Sequence, residues 1–176
     1  MCSSDLADRQ SLWDGIVNNG LSTMATDEYC TSWETKISGR TVSDVTGGHN
    51  GAEARMGVTY SEGVSRRGMS LQRFVDVSSA YAAKIMGLYP RKGVLAPGSD
   101  ADITLIDTNF KRKLTMDDFH ITDYSIWEGF EADGWPVTTI LRGNVVVENR
   151  EFKAAPGSGQ FIPRKVDAAV TNRPIA

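Results

Sequence analysis

Residues 87–103 read GLYPRKGVLAPGSDADI. The chain changes character within this stretch. Before it runs MSLQRFVDVSSAYAAKIMGLYP (69–90), the clearest helical pattern in the sequence. Ser70 is placed to cap its N-terminus, because a serine oxygen can accept an otherwise unpaired first-turn amide. Leu71, Phe74, Val75, Ser78, Ala82 and Ile85 follow the i, i+3, i+4 rhythm of one helix face. Gly87 supplies the stop. After Pro90, KGVLAPGSDADITLIDT brings a Pro-Gly turn and β-rich residues, and PVTTILRGNVVVENREF reads as a hairpin about Gly143-Asn144.

The N-terminal side reads as α/β. DRQSLWDGIVNNG (8–20) predicts a short amphipathic helix, with Leu12, Trp13, Ile16 and Val17 on one face and Gly20 as its stop. LSTMAT (21–26) predicts a strand, and a helix followed at once by a strand is the alternation of a parallel sheet or barrel. The strand ends abruptly in two acids, Asp27 and Glu28. From there to about residue 50 the periodicity dissolves into a glycine-containing loop, KISGRTVSDVTGGHNG (36–51), of the long kind that is usually functional. AEARMGVTYSEGV (52–64) regains helical character. The tail, KAAPGSGQFIPRKVDAAVTNRPIA (153–176), is expected to be an extended arm.

This gives residues 7–90 as α/β, 91–153 as all-β and 154–176 as the arm. Neither of the first two is complete, since one strand cannot close a sheet. Cys2–Leu6 also spell the translated end of a common sequencing-library adapter. Residues 1–6 are therefore read as a non-native leader, with the true chain expected to begin upstream.

With 176 residues, 40% hydrophobic and 23% charged, the composition is that of an ordinary globular protein. A net charge of −3 gives no electrostatic reason to expect nucleic acid or an anionic membrane. No apolar run approaches the roughly 18 residues of a membrane span. Two cysteines are too few for a disulfide framework or a cysteine-rich zinc site, and a cytoplasmic location is the expectation.

The chemistry-bearing residues are few. His49 and His120 form no HxH or HExxH pair, and a lone loop histidine is more often a surface residue than a ligand. There is no GxSxG elbow and no GxGxxG, and GGHNG lacks a P-loop lysine. Asp27 is the one suggestive acid, because catalytic residues of αβ barrels sit at strand C-terminal ends. A turn or a salt bridge is the plainer role for it.

Taken in order and spacing, LWDGI, STMATDEYC, GGHNGAEARM, YSEGV, AAKIMGLYPRKGVLAPGSDADITLID and RGNVVVENREF resemble the cyclic amidohydrolases, most of all the dihydropyrimidinase/D-hydantoinase family. The resemblance runs from about Leu12 to Arg164. The KG…GSDAD core belongs to the wider amidohydrolase superfamily, GLYPRKG to this branch, and SGQFIPRK is similar to the family's C-terminal arm.

The resemblance implies a fold: a (β/α)8 barrel, of which this chain holds the last strand and the following helices, plus the C-terminal part of a small β-sandwich. It implies a metal-dependent hydrolase of cyclic amide C–N bonds. Two divalent metals, usually zinc, would share a carboxylated lysine lying outside this chain, with four histidines from earlier strands. Asp27 aligns with the family's last-strand aspartate, a metal ligand and the proton carrier of the reaction. Gly47 and Gly48 align with the loop whose backbone holds the imide of the substrate ring; many members carry Asn at the position of Gly47. Glu53 and Arg55 match motif positions read as anchoring that loop. Many members have Asp-His where this chain has Asp27-Glu28.

The partner implied is a small cyclic amide or imide, with no nucleic acid or membrane, and a homodimer or homotetramer at full length. Within 176 residues the ligands for a binuclear site are not present, so this stretch alone is expected to be inactive. Two other readings are a non-catalytic dihydropyrimidinase-related assembly protein, against which the retained Asp27 argues, and a self-standing binding module.

Overall fold

The computed structural model describes residues 6–120 and 123–172. Cys2–Asp5 of the expected leader lie outside them; Leu6 opens α1, Leu6–Val17. Asn19, not Gly20, takes the left-handed backbone that ends this helix (φ 66°), and the Gly20 amide returns to Gly15 O at 2.7 Å. One further carbonyl of the last turn, and the chain just beyond it, are met by Arg73. Its guanidinium donates to Ile16 O at 2.6 Å and Asn19 Oδ1 at 2.7 Å, and also to Leu21 O. A buried cation is thereby satisfied on the negative end of a helix.

After α2, Trp33–Ile37, come α3, Arg55–Thr59, and α4, Leu71–Val75. Helix α3 widens into a π-helical stretch, Tyr60–Arg66. Helix α4 continues through a π-turn, Asp76–Ala80, into α5, Tyr81–Ile85. Ser70 accepts the Arg73 amide, as its position before an apolar run predicts, and Gly87 adopts φ 70° after α5. The buried face shares Phe74 with the expected one but otherwise differs from it. Phe74, Val77, Ala80, Tyr81 and Ala83 face the core, whereas Leu71, Val75 and Ile85 are exposed. Both faces of this helix carry apolar side chains, so periodicity alone does not select between them. Leu12 of α1 is likewise exposed, while Ile16 is buried.

The strand expected over LSTMAT does not form. A strand exists through its ladder to a neighbour, and here Leu21 N and Met24 N go instead to helical carbonyls, Gly15 O at 3.0 Å and Val77 O at 3.4 Å.

Four antiparallel strands follow in the order β1 (Ile103–Lys113), β2 (Glu131–Leu141), β3 (Asn144–Glu148), β4 (Glu151–Phe152). The β2–β3 turn is centred one residue earlier than expected. Leu141 pairs with Asn144, and Arg142 (φ 48°) and Gly143 (φ 80°) form the primed turn. Arginine tolerates that backbone here because its amide is held by Asp102 Oδ1 at 2.8 Å.

The sheet lies on the helices through two reciprocal glycine contacts. A Cβ on Gly57 would fall 2.2 Å from the Trp135 ring, and one on Gly134 would fall 2.3 Å from the Tyr60 ring. Ala54, Val58, Leu114, Ala132 and Trp135 form the shared core. A second core gathers Ile16, Tyr60, Met69, Phe74 and Val77. The KG…GSDAD motif is closed on itself by charge: Lys92 bridges Asp100 at 2.9 Å and also Asp102. Burial opposes the Lys92 charge, but the two carboxylates outweigh it and hold its pKa above the ordinary lysine value.

Past β4 the tail has no regular structure until α6, Ala168–Asn172, which the expectation of a wholly extended arm did not include. The tail's Lys165 amide reaches Gly87 O at 2.9 Å.

Candidate active-site edge

The two adjacent acids part company. Glu28 turns back onto the chain entering α3, where Oε2 accepts the Gly51 amide at 3.1 Å and the Ala52 amide. This is a carboxylate at the positive end of a helical turn, since Arg55 N already reaches Gly51 O at 3.1 Å. Asp27 is exposed, and its backbone is left-handed (φ 50°). Among the described residues its carboxylate makes no hydrogen bond or ion pair. The plainer role of closing a turn therefore falls to Glu28, and the Asp27 oxygens have no such partner among the described residues.

The glycine loop lies beside this segment. Tyr29 N donates to His49 O at 3.3 Å, and a Cβ on Gly48 would meet the Tyr29 Cβ at 2.6 Å, so only glycine fits there. A Cβ on Gly47 would meet nothing within 4 Å. Gly47 and Gly48 are both exposed.

Five further residues fasten the loop. Lys36 Nζ donates to Thr46 O at 2.7 Å and Gly48 O at 2.5 Å. The Asn50 side-chain amide donates to Tyr124 O. Tyr124 packs its ring 5.5 Å from that of Trp33, and Asp123 accepts the Trp33 amide at 2.9 Å. Sequence reading missed all five. Only Lys36 carried a signal, one turn into a helix capped by Ser32.

Glu53 accepts the His120 amide at 2.9 Å and also meets its ring, and Arg55 reaches Met24 O at 3.4 Å, so both motif residues tie the loop and its neighbour down. His49 hydrogen-bonds Asn50 O at 2.8 Å. Among the described residues no three His, Cys, Asp or Glu side chains gather to hold a metal, and no helix is long and apolar enough to cross a membrane.

Residues 6–146 match the model of the amidohydrolase family. The chain belongs to that family. Its similarity falls on the hydantoinase and dihydropyrimidinase branch. A D-phenylhydantoinase from Escherichia coli O1:K1 / APEC is 37% identical over 165 residues, which are 92% of this chain and 36% of the relative. The D-hydantoinase of Geobacillus stearothermophilus is 35% identical over 161 residues, 89% of this chain and 34% of the relative. Among solved structures, dihydropyrimidinase from Brevibacillus agri NCHU1002 superposes with a TM-score of 0.88 at 33% identity, covering 92% of this chain and 36% of that one. The chain thus spans about a third of the length of the hydantoinases it matches, and its α/β fold with a small antiparallel sheet is the corresponding third of theirs.

Proposed function

We propose that this chain is the C-terminal portion of a metal-dependent hydrolase that opens a ring C–N bond of cyclic amides, dihydropyrimidines or 5-substituted hydantoins. The observation that carries the reading is the free Asp27 carboxylate at the end of the segment that aligns with the family's last barrel strand. An unpaired, solvent-facing carboxylate fits one hard oxygen ligand of a zinc-type site. The remaining ligands, four histidines and a carboxylated lysine, would come from residues outside this chain. Bound divalent metals supply water activation near neutral pH and polarise the ring carbonyl.

This chain's own residues do two things. Asp27 accepts a proton from the attacking water and delivers it to the departing ring nitrogen, one carboxylate serving both halves of the reaction. The backbone about Gly47 and Gly48 holds the imide edge of the ring, with Glu28, Tyr29 and Lys36 fixing that backbone in place. The substitution of glycine for asparagine at 47 does not disturb such a contact, because the contact is made by main chain. The exposed arm, on which Phe161 is 91% exposed, is the surface for a homodimer or homotetramer. The two cysteines suit a reducing cytoplasm.

The test is to extend the reading frame upstream of Met1, purify the full-length polypeptide and measure ring opening of hydantoin and dihydrouracil with and without a chelator. Chelator-sensitive hydrolysis is expected. A folded full-length protein that opens neither ring would contradict the proposal.

A further inference from the structure

Lys36 stands out among the lysines because its ammonium donates to two backbone carbonyls of the loop 46–48, and no carboxylate lies within ion-pair reach of it among the described residues. The two carbonyls, of Thr46 and Gly48, flank Gly47. A trans peptide points its N–H opposite to its C=O. Drawing both oxygens towards the ammonium therefore turns the amides of Gly47 and His49 to the opposite side of the loop. Neither amide, nor that of Gly48, donates a hydrogen bond within the described residues. The Tyr29 amide on His49 O at 3.3 Å and Glu28 on the Gly51 amide at 3.1 Å hold the loop's trailing end in the same setting.

We infer that Lys36 is a positioning residue for substrate binding. Its ammonium gathers the carbonyls on one side so that the Gly47 and His49 amides form a donor pair on the other, suited to a ring carbonyl oxygen. The inference rests on the hydrolase reading above and deepens it. Lys36 touches no reacting atom, so its loss should weaken ground-state and transition-state binding alike and leave the chemical step intact.

The experiment uses the full-length enzyme with hydantoin as substrate and compares wild type, Lys36→Met and Lys36→Arg, with Lys36→Gln replacing the Met variant if that variant is insoluble. Lys36→Met should raise KM about tenfold with kcat within about threefold of wild type. Lys36→Arg, which can still donate to two carbonyls, should recover most of the affinity. An unchanged KM in a well-folded Lys36→Met enzyme would overturn the inference and leave the hydrolase reading standing. A matched fall in kcat and melting temperature without a KM effect would also overturn it, since that marks a structural role alone. Wild-type enzyme inert towards hydantoin and dihydrouracil would remove the hydrolase reading itself.

Discussion

The Glu28 carboxylate accepts the Gly51 amide at 3.1 Å, from a residue 23 positions further along the chain. This contact closes the glycine loop at its base and separates the roles of two neighbouring acids. Replacing Glu28 with Ala leaves two first-turn amides without their acceptor. A loss of about 1 kcal/mol of stability in the full-length enzyme is expected, together with a raised KM. Glu28→Gln keeps an acceptor oxygen and should lose less. Denaturant melts and steady-state kinetics on the two variants check this.

The two loop glycines should respond in opposite ways. Gly48 has φ 77° and lies against the Tyr29 Cβ, so Gly48→Ala combines backbone strain with a steric clash. It should cost about 1–3 kcal/mol and impair substrate binding. Gly47→Asn meets open space and should change stability by less than about 0.5 kcal/mol. Equal sensitivity at the two positions would contradict the loop geometry.

Asp118 gives a pH signature. Its side chain is 1% exposed and takes the Thr115 amide at 2.8 Å, with Arg112 at 3.0 Å and Arg150 beside it. Burial alone would raise its pKa, but the Thr115 amide and the two guanidiniums outweigh it and hold the carboxyl below the ordinary aspartate range. A group depressed in the folded state stabilises above its unfolded pKa, and that stability is lost as pH falls through the folded value. Asp118→Asn should therefore cost about 1–3 kcal/mol at neutral pH. The gap to wild type should narrow as the pH drops below the normal aspartate pKa. Melts of the full-length enzyme between pH 7 and pH 3 measure it.

The helix through residues 71–85 carries a second apolar stripe, Leu71, Val75 and Ile85, on its exposed side, continued by Met86 and Tyr89. A helix that is apolar on two sides is built to be covered on both. The 176-residue chain made alone should therefore bind ANS strongly and melt without a sharp cooperative transition. A dye-silent preparation with a two-state melt would show that these residues are a self-sufficient unit.

Local signals carried most of what could be read from the sequence. Ser70 as a cap, Gly87 as a stop and the β2–β3 hairpin each depend on a few adjacent residues, and each is present, the hairpin turn one residue from its expected place because Asp102 steadies Arg142. The misjudged helix face has a physical cause: with two apolar stripes, spacing cannot say which one meets this chain's own core. LSTMAT has strand composition but no neighbouring strand among the described residues, and composition cannot supply a ladder. At the site, Asp27 and the two glycines were visible as motif positions. The contacts that shape their surroundings, Glu28 to Gly51, Lys36 to Gly48 and Asp123 to Trp33, are polar and join residues distant in sequence. No periodicity marks a partner 90 residues away.

Asp27 is proposed as metal ligand and proton carrier, and Asp27→Asn in the full-length enzyme tests that role most directly. The amide keeps the shape of the carboxylate but can neither take up the proton nor supply the same charge to a metal. Hydantoin turnover should fall by about a hundredfold or more, with a fold unchanged by circular dichroism and a reduced metal content. An Asp27→Asn enzyme that turns over hydantoin within threefold of wild type would contradict it.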